Sequence, residues 1–187
     1  MDVFLLSLIL VFAIAFAGRD GLVMAGLAQR LGKSGALLTT GAACAVLSAA
    51  LMAWLGSTFA ALLPYRAAQM LVALALAFAA LELALPIRIR QPVEPTRSLG
   101  ATALVLLARQ LGDAARFVVF AFAALAHVPV LSALGGAIAG ALALAAAWSL
   151  GTSGMARYPA AIARRVLAAL LACAAVFIGL DARFGVF

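Results

Sequence analysis

The chain has 187 residues, 68% of them hydrophobic and only 10% charged, with a mean hydropathy of +1.23. A soluble domain is about 45–50% apolar and about 25% charged, and one of this size cannot bury so much apolar side chain. A soluble globular protein, a disordered chain and a disulfide-stapled secreted module are therefore excluded, and the composition is that of an all-α integral membrane protein.

A hydrocarbon core about 30 Å thick takes about 20 apolar residues per helix. Six stretches qualify, at about 3–31, 36–63, 67–86, 99–126, 130–150 and 160–180. The first is interrupted by Gly18-Arg19-Asp20-Gly21. Its opening run, Phe4 to Ala17, ends in Ala15-Phe16-Ala17 like a signal-peptide cleavage site, yet Asp2 stands where such a peptide carries Lys or Arg. A retained first helix is expected. Turn-type clusters separate the stretches: Gly32-Lys33-Ser34-Gly35, Pro64-Tyr65-Arg66, His127-Val128-Pro129 and Gly151-Thr152-Ser153-Gly154. The polar run 87–98, with Pro92 and Pro95, is too short for a domain and reads as a cytoplasmic linker. It divides the chain into 1–86, 87–98 and 99–187. Cys44 and Cys173 lie in apolar runs and read as small buried hydrophobes.

Lys and Arg mark the cytoplasmic side of membrane proteins. With six spans, one side holds Arg30, Lys33, Arg88, Arg90, Arg97, Arg157, Arg164 and Arg165, and the other only Arg66 and Arg183. Both termini are then non-cytoplasmic. The net charge of +7 is mostly this topology signal, and no basic polar domain suited to nucleic acid is present. Size, composition and loop charge suit a bacterial inner membrane, and the short chain is compatible with a homodimer.

Landmarks recur at a spacing of about 95: Trp54 with Trp148, Pro64 with Pro159, and Gly18-Arg19-Asp20 with Gly112-Asp113-Ala114-Ala115-Arg116. Each half holds three spans, and an odd number forces the second half to insert upside down. Two inverted three-helix repeats are expected, an architecture that places a transport site where broken helices of the two halves meet.

Ionisable groups at bilayer depth are functional candidates. These are Arg19 and Asp20 in the first stretch, and Arg109, Gln110, Asp113 and Arg116 in the fourth. On one continuous helix Arg109, Asp113 and Arg116 share a face, either as a neutralising structural cluster or as the lining of a pathway. Glu82 reads as mostly structural, His127 as a solvated loop residue, and Gly136-Ala137-Ile138-Ala139-Gly140 as a site of close helix contact. Gly-x-Ser-x-Gly, Walker, His-Glu-x-x-His and Cys-x-x-Cys patterns are absent from the sequence, so an enzyme is not expected.

Gln110-Leu111-Gly112-Asp113, followed by Phe120-Ala121-Phe122-Ala123-Ala124, resembles the transmembrane protein 165 type family of cation–proton exchangers. Those proteins carry a Glu-x-Gly-Asp-Lys/Arg-Thr/Ser motif once in each of two inverted halves. In the second half Gln110 stands in place of Glu, Gly112 and Asp113 match, and Ala114-Ala115 replace the last two positions. In the first half Ala15 replaces Glu, Gly18 replaces Asp, Arg19 matches the basic position and Asp20 falls on Thr/Ser. A two-residue slide would instead set Asp20 on the motif Asp. The resemblance implies a secondary transporter of manganese or calcium, with Asp113 and Asp20 as metal ligands, Gln110 beside them, and no resident cofactor.

A divalent cation wants several hard oxygens with net negative charge. Here Arg19, Arg109 and Arg116 outnumber the two acids. Two alternatives stay open: an anion or zwitterion transporter using those arginines, and a degenerate, non-transporting relative acting as a membrane partner subunit.

Overall fold

The computed structural model describes residues 2–86 and 98–185. All regular structure among them is helical: α1 (Asp2–Ala17), α2 (Arg19–Leu31), α3 (Gly35–Leu62), α4 (Tyr65–Ala84), α5 (Leu99–Leu111), α6 (Ala114–Leu125), α7 (Pro129–Ala156) and α8 (Ala160–Phe184). The expected linker lies outside the described residues except for Ser98. That serine caps α5, its Oγ accepting from the Ala101 N–H at 3.4 Å. Ser34 caps α3 in the same way, from the Leu37 N–H at 3.2 Å. Pro129 opens α7, where its missing N–H costs nothing. Gly185 ends α8 at φ 62°, its N–H donating to the Asp181 carbonyl at 2.7 Å.

Four helices, α3, α4, α7 and α8, are long and apolar enough to cross a bilayer, and α1 with α2 forms a fifth candidate bent by 54° at Gly18. The stretch expected as a fourth span is two shorter apolar helices, α5 and α6, divided at Gly112-Asp113. The turn expected at 151–154 is a kink instead. There Gly151 breaks α7 at φ 64° and ψ −174°, a backbone setting glycine takes without strain, and a second helical stretch runs on to Ala156. Large apolar side chains cover the outside, among them Ile9, Leu47, Phe78, Leu104, Leu170 and Phe177. Only 22% of the most apolar stretch of α8 is buried. A surface of that kind is consistent with an integral membrane protein. Cys44 is buried and donates to the Ala103 carbonyl at 3.4 Å, whereas Cys173 faces outward on α8, contrary to the expectation that both are buried.

Contacts fix the helix directions. Ser7 and Ser132, near the starts of α1 and α7, are joined by a 3.0 Å hydrogen bond from Ser7 Oγ to the Ser132 carbonyl. Gln29 and Thr152, near the ends of α2 and α7, are joined at 2.6 Å. The bent α1–α2 pair therefore runs parallel to α7. Likewise α5 and α6 run parallel to α3, through Cys44 with Ala103, Ser48 with Gln110, and Gly56 with Phe120. Helix α8 lies antiparallel to α4, with Gln69 meeting Asp181 at one end and Glu82 meeting Arg164 at the other.

Small residues allow this closeness, as helices sharing a lipid-like solvent require. The Met24 methyl occupies the place a Cβ on Gly41 would take, and Val119 occupies that of Gly136. Each pair is the other moved along the chain by 95 residues. The starts of α2 and α4, Arg19 and Tyr65, are likewise 95 residues before those of α6 and α8, Ala114 and Ala160.

At Gly56 an added methyl would collide with the Phe120 carbonyl of α6, backbone that cannot swing aside. Gly56→Ala is expected to lose about 1–3 kcal/mol, the usual cost of overpacking. Gly35→Ala, with open space around it, should be neutral or slightly stabilising. Unfolding of both variants in detergent checks the difference.

Candidate functional site

Two helix breaks face each other at the centre of the protein. At Gly18 the backbone is extended (φ −83°, ψ −172°) between α1 and α2, and at Asp113 it is extended (φ −87°, ψ 147°) between α5 and α6. A Cβ built on Gly18 would lie 3.6 Å from Asp113 Oδ1 and 2.6 Å from the Ile14 carbonyl. A side chain at 18 would thus collide with its own helix, and its Cβ would rest in ordinary contact with the carboxylate.

Asp113 is an effective N-cap because its short carboxylate reaches back to an orphan amide of the next helix. One oxygen, Oδ2, accepts from the Ala115 N–H at 3.2 Å, while the other, Oδ1, is buried without a hydrogen-bond partner. Asp20, in the first turn of α2, is 4% exposed. It is close enough to Asp113 for the two carboxylates to repel, and both feel the positive charge of Arg116. Arg116, 1% exposed, donates from Nε to Ser48 Oγ at 2.7 Å, and Ser48 Oγ donates to Gln110 Oε1 at 3.1 Å. Gly140 makes room for that guanidinium, since a Cβ there would lie 2.9 Å from Arg116 Nη2. Arg116 Nη1 and Gln110 Nε2 are buried without partners.

The structure thus gathers Asp20, Gln110, Asp113 and Arg116, and adds Ser48. The other two candidate arginines are exposed at the edge of this centre, and their charges still reach Asp20. Arg19 turns outward, its side chain 46% exposed, and pairs with Glu82 at 2.8 Å. Arg109 is exposed on α5. The expectation that Arg109, Asp113 and Arg116 share one helical face fails because the helix stops at Leu111 and restarts at Ala114 on a new axis. The same break that frees Asp113 to cap α6 sends Arg109 and Arg116 in different directions.

One further charge was misplaced by sequence alone: Arg164, counted above as a cytoplasmic loop residue, lies 4% exposed in α8 beside buried Glu82, which keeps the structural role read for it. The Arg164 Nη2 donates to the Glu82 and Leu85 carbonyls at 2.8 and 3.1 Å, and lies 3.7 Å from Glu82 Oε1. These carbonyls end α4, where helical partners run out and the helix dipole favours a cation. A periodic pattern could not reveal this pairing across 82 residues, although Glu82 was visible as an acid in an apolar run. The Gly136–Gly140 pattern serves contacts within the chain, to Val119 and Arg116.

As metal ligands, Asp113 and Asp20 lack a third acidic, histidine or cysteine partner: among the described residues no group of three such side chains is placed to hold a metal ion. In this closed arrangement the centre can take up a proton or exchange hydrogen bonds, and the unpartnered Asp113 oxygen is its open acceptor. No protein-family model, curated protein or solved structure matches the chain.

Proposed function

We propose that the chain is a secondary transporter of six membrane spans in two inverted three-helix repeats, exchanging a cation for protons at the facing helix breaks. The observation that carries this reading is the meeting of Gly18 with the unpartnered Oδ1 of buried Asp113. The spacing of 95 residues between corresponding helix starts and corresponding glycine contacts supports the repeat. The helix directions support six spans, because α5 and α6 follow α3 as α1 and α2 follow α7. With both termini outside the cytosol, of a bacterial inner membrane as the loop charges suggest, every one of these directions is accommodated.

The site's charge favours a cation over an anion. Three arginines against two acids would repel manganese or calcium, but Arg19 is taken by Glu82 and Arg109 is exposed. Inside the protein that leaves Asp20 and Asp113 against Arg116, with Arg109 and Arg19 acting on Asp20 more weakly. Arg116, held by Ser48, neutralises one carboxylate. The second binds a proton or the cation but not both at once, which is the condition for exchange, and a divalent ion leaves the centre one charge more positive than a proton does. Rocking of one repeat against the other would open the breaks to each side in turn, and opening could add the Gln110 and Ser48 oxygens and backbone carbonyls to the two carboxylates.

The test is manganese and calcium flux into proteoliposomes under an imposed pH gradient. Ion movement that collapses when the gradient is collapsed is the expected result. Folded protein that moves neither ion overturns the reading. A second reading, an anion or zwitterion carrier, is favoured by the unpartnered donors Arg116 Nη1 and Gln110 Nε2. Uptake of a small carboxylate by the same vesicles, without cation flux, would select it. Silence towards both would leave the non-transporting membrane subunit.

A further inference from the structure

Arg66 and Arg183 are the two cations that the loop-charge count leaves on the sparsely charged, non-cytoplasmic side. They are 117 residues apart in the chain, yet they line one open cleft of about 560 Å³ between the start of α4 and the end of α8. Below them the wall is apolar: Met70, Leu71 and Leu74 descend about two helical turns along α4 from Arg66, and Leu63 closes the cleft at the arginine end. Both arginines are exposed, and among the described residues neither has a hydrogen-bond or ion-pair partner. Asp181, two residues before Arg183, accepts from Gln69 Nε2 at 3.3 Å. Tyr65, 76% exposed at the same end, is the aromatic expected at a membrane interface.

We propose that this cleft binds an anionic phospholipid, its phosphate held between the guanidiniums of Arg66 and Arg183 and an acyl chain laid along Met70, Leu71 and Leu74. The chemistry is complementary at each level. Planar guanidiniums suit phosphate oxygens, a flexible methionine accommodates an irregular hydrocarbon chain, and basic clefts between membrane helices recognise lipid headgroups. The lipid's single negative charge would also offset one of the two cations on the side where the charge bias disfavours them. Because α4 and α8 come from opposite halves of the chain, one bound lipid would clamp the two halves together at that end.

The position of the cleft at the outer border rests on the topology proposed above, but binding can be measured without any transport. Native mass spectrometry of the full chain in detergent, titrated with phosphatidylglycerol or phosphatidylcholine, reads the preference directly. About 10- to 30-fold tighter retention of phosphatidylglycerol is expected, from roughly fivefold per arginine. It should vanish in R66Q/R183Q while remaining in R157Q/R165Q, which removes two exposed arginines elsewhere. An equal loss in both double variants, or an unchanged preference in R66Q/R183Q, overturns the proposal. So does displacement of the lipid by millimolar inorganic phosphate, which would make the cleft a free-anion site. Transport failure in the vesicle assay with this preference intact would sink only the exchanger reading.

Discussion

Replacing Asp113 by asparagine should abolish proton-driven cation flux, by about 100-fold or more, the scale typical of removing a proton-transferring group, while leaving the protein folded. Asparagine is as good an N-cap as aspartate, so its side-chain oxygen can still accept from the Ala115 N–H at the start of α6. What it cannot do is change charge. With Asp113 neutral, the centre loses the carboxylate whose unpartnered oxygen is its open acceptor for a proton or cation. Flux in proteoliposomes and thermal unfolding in detergent, run on the same preparation, separate the two effects. Unchanged flux in Asp113→Asn would sink the assignment of this carboxylate, and with it the exchange mechanism built on it.

Glu82→Leu is expected to be the most damaging single change to stability, at about 3 kcal/mol. Removing one member of a buried ion pair leaves the other charge uncompensated, at a typical cost of 3–5 kcal/mol. The lower end applies because Arg164 keeps its bonds to the Glu82 and Leu85 carbonyls. Arg19 is half exposed and can turn to solvent, so Arg19→Gln should cost under about 1 kcal/mol. Glu82→Leu with Arg164→Leu together should recover most of the loss, since an apolar pair leaves no orphan charge. Chemical unfolding of the two single variants and the double variant measures the coupling. A Glu82→Leu protein as stable as the unaltered chain would show that Arg164 is satisfied by the α4 carbonyls alone.

Local signals carried far in this chain. Gly18, Ser34, Ser98, Pro129 and Gly185 each act within a few residues of themselves, through backbone freedom or a cap, and helices begin or end where they stand. Gly151 shows the limit of such signals. Its turn-like neighbourhood of Gly, Thr and Ser gave a break at one residue rather than a loop, with helix resuming to Ala156, because helix satisfies the backbone better than a loop would in apolar surroundings. The site was half legible: a buried acid in an apolar run is conspicuous whatever surrounds it, so Asp20 and Asp113 stood out, whereas Ser48 is one serine among several.

The sequence by itself determined that the chain is all-helical and too apolar for a soluble fold, roughly where its helical stretches lie, and that its landmarks recur about 95 residues apart, but not that the fourth stretch is two helices. These follow from composition and from interactions spanning one or two turns. Only the tertiary structure decided where the charges go. A single break at Gly112-Asp113 redirects the helix axis, sending Arg116 to Ser48 and Arg109 to the surface. The packing of α4 against α8 turned Arg164 from a loop cation into the buried partner of Glu82. Periodicity assigns faces only along an unbroken axis. Across a break, or between helices 82 residues apart, the partner of a buried charge is set by which backbones can approach, and that is a property of the assembled bundle.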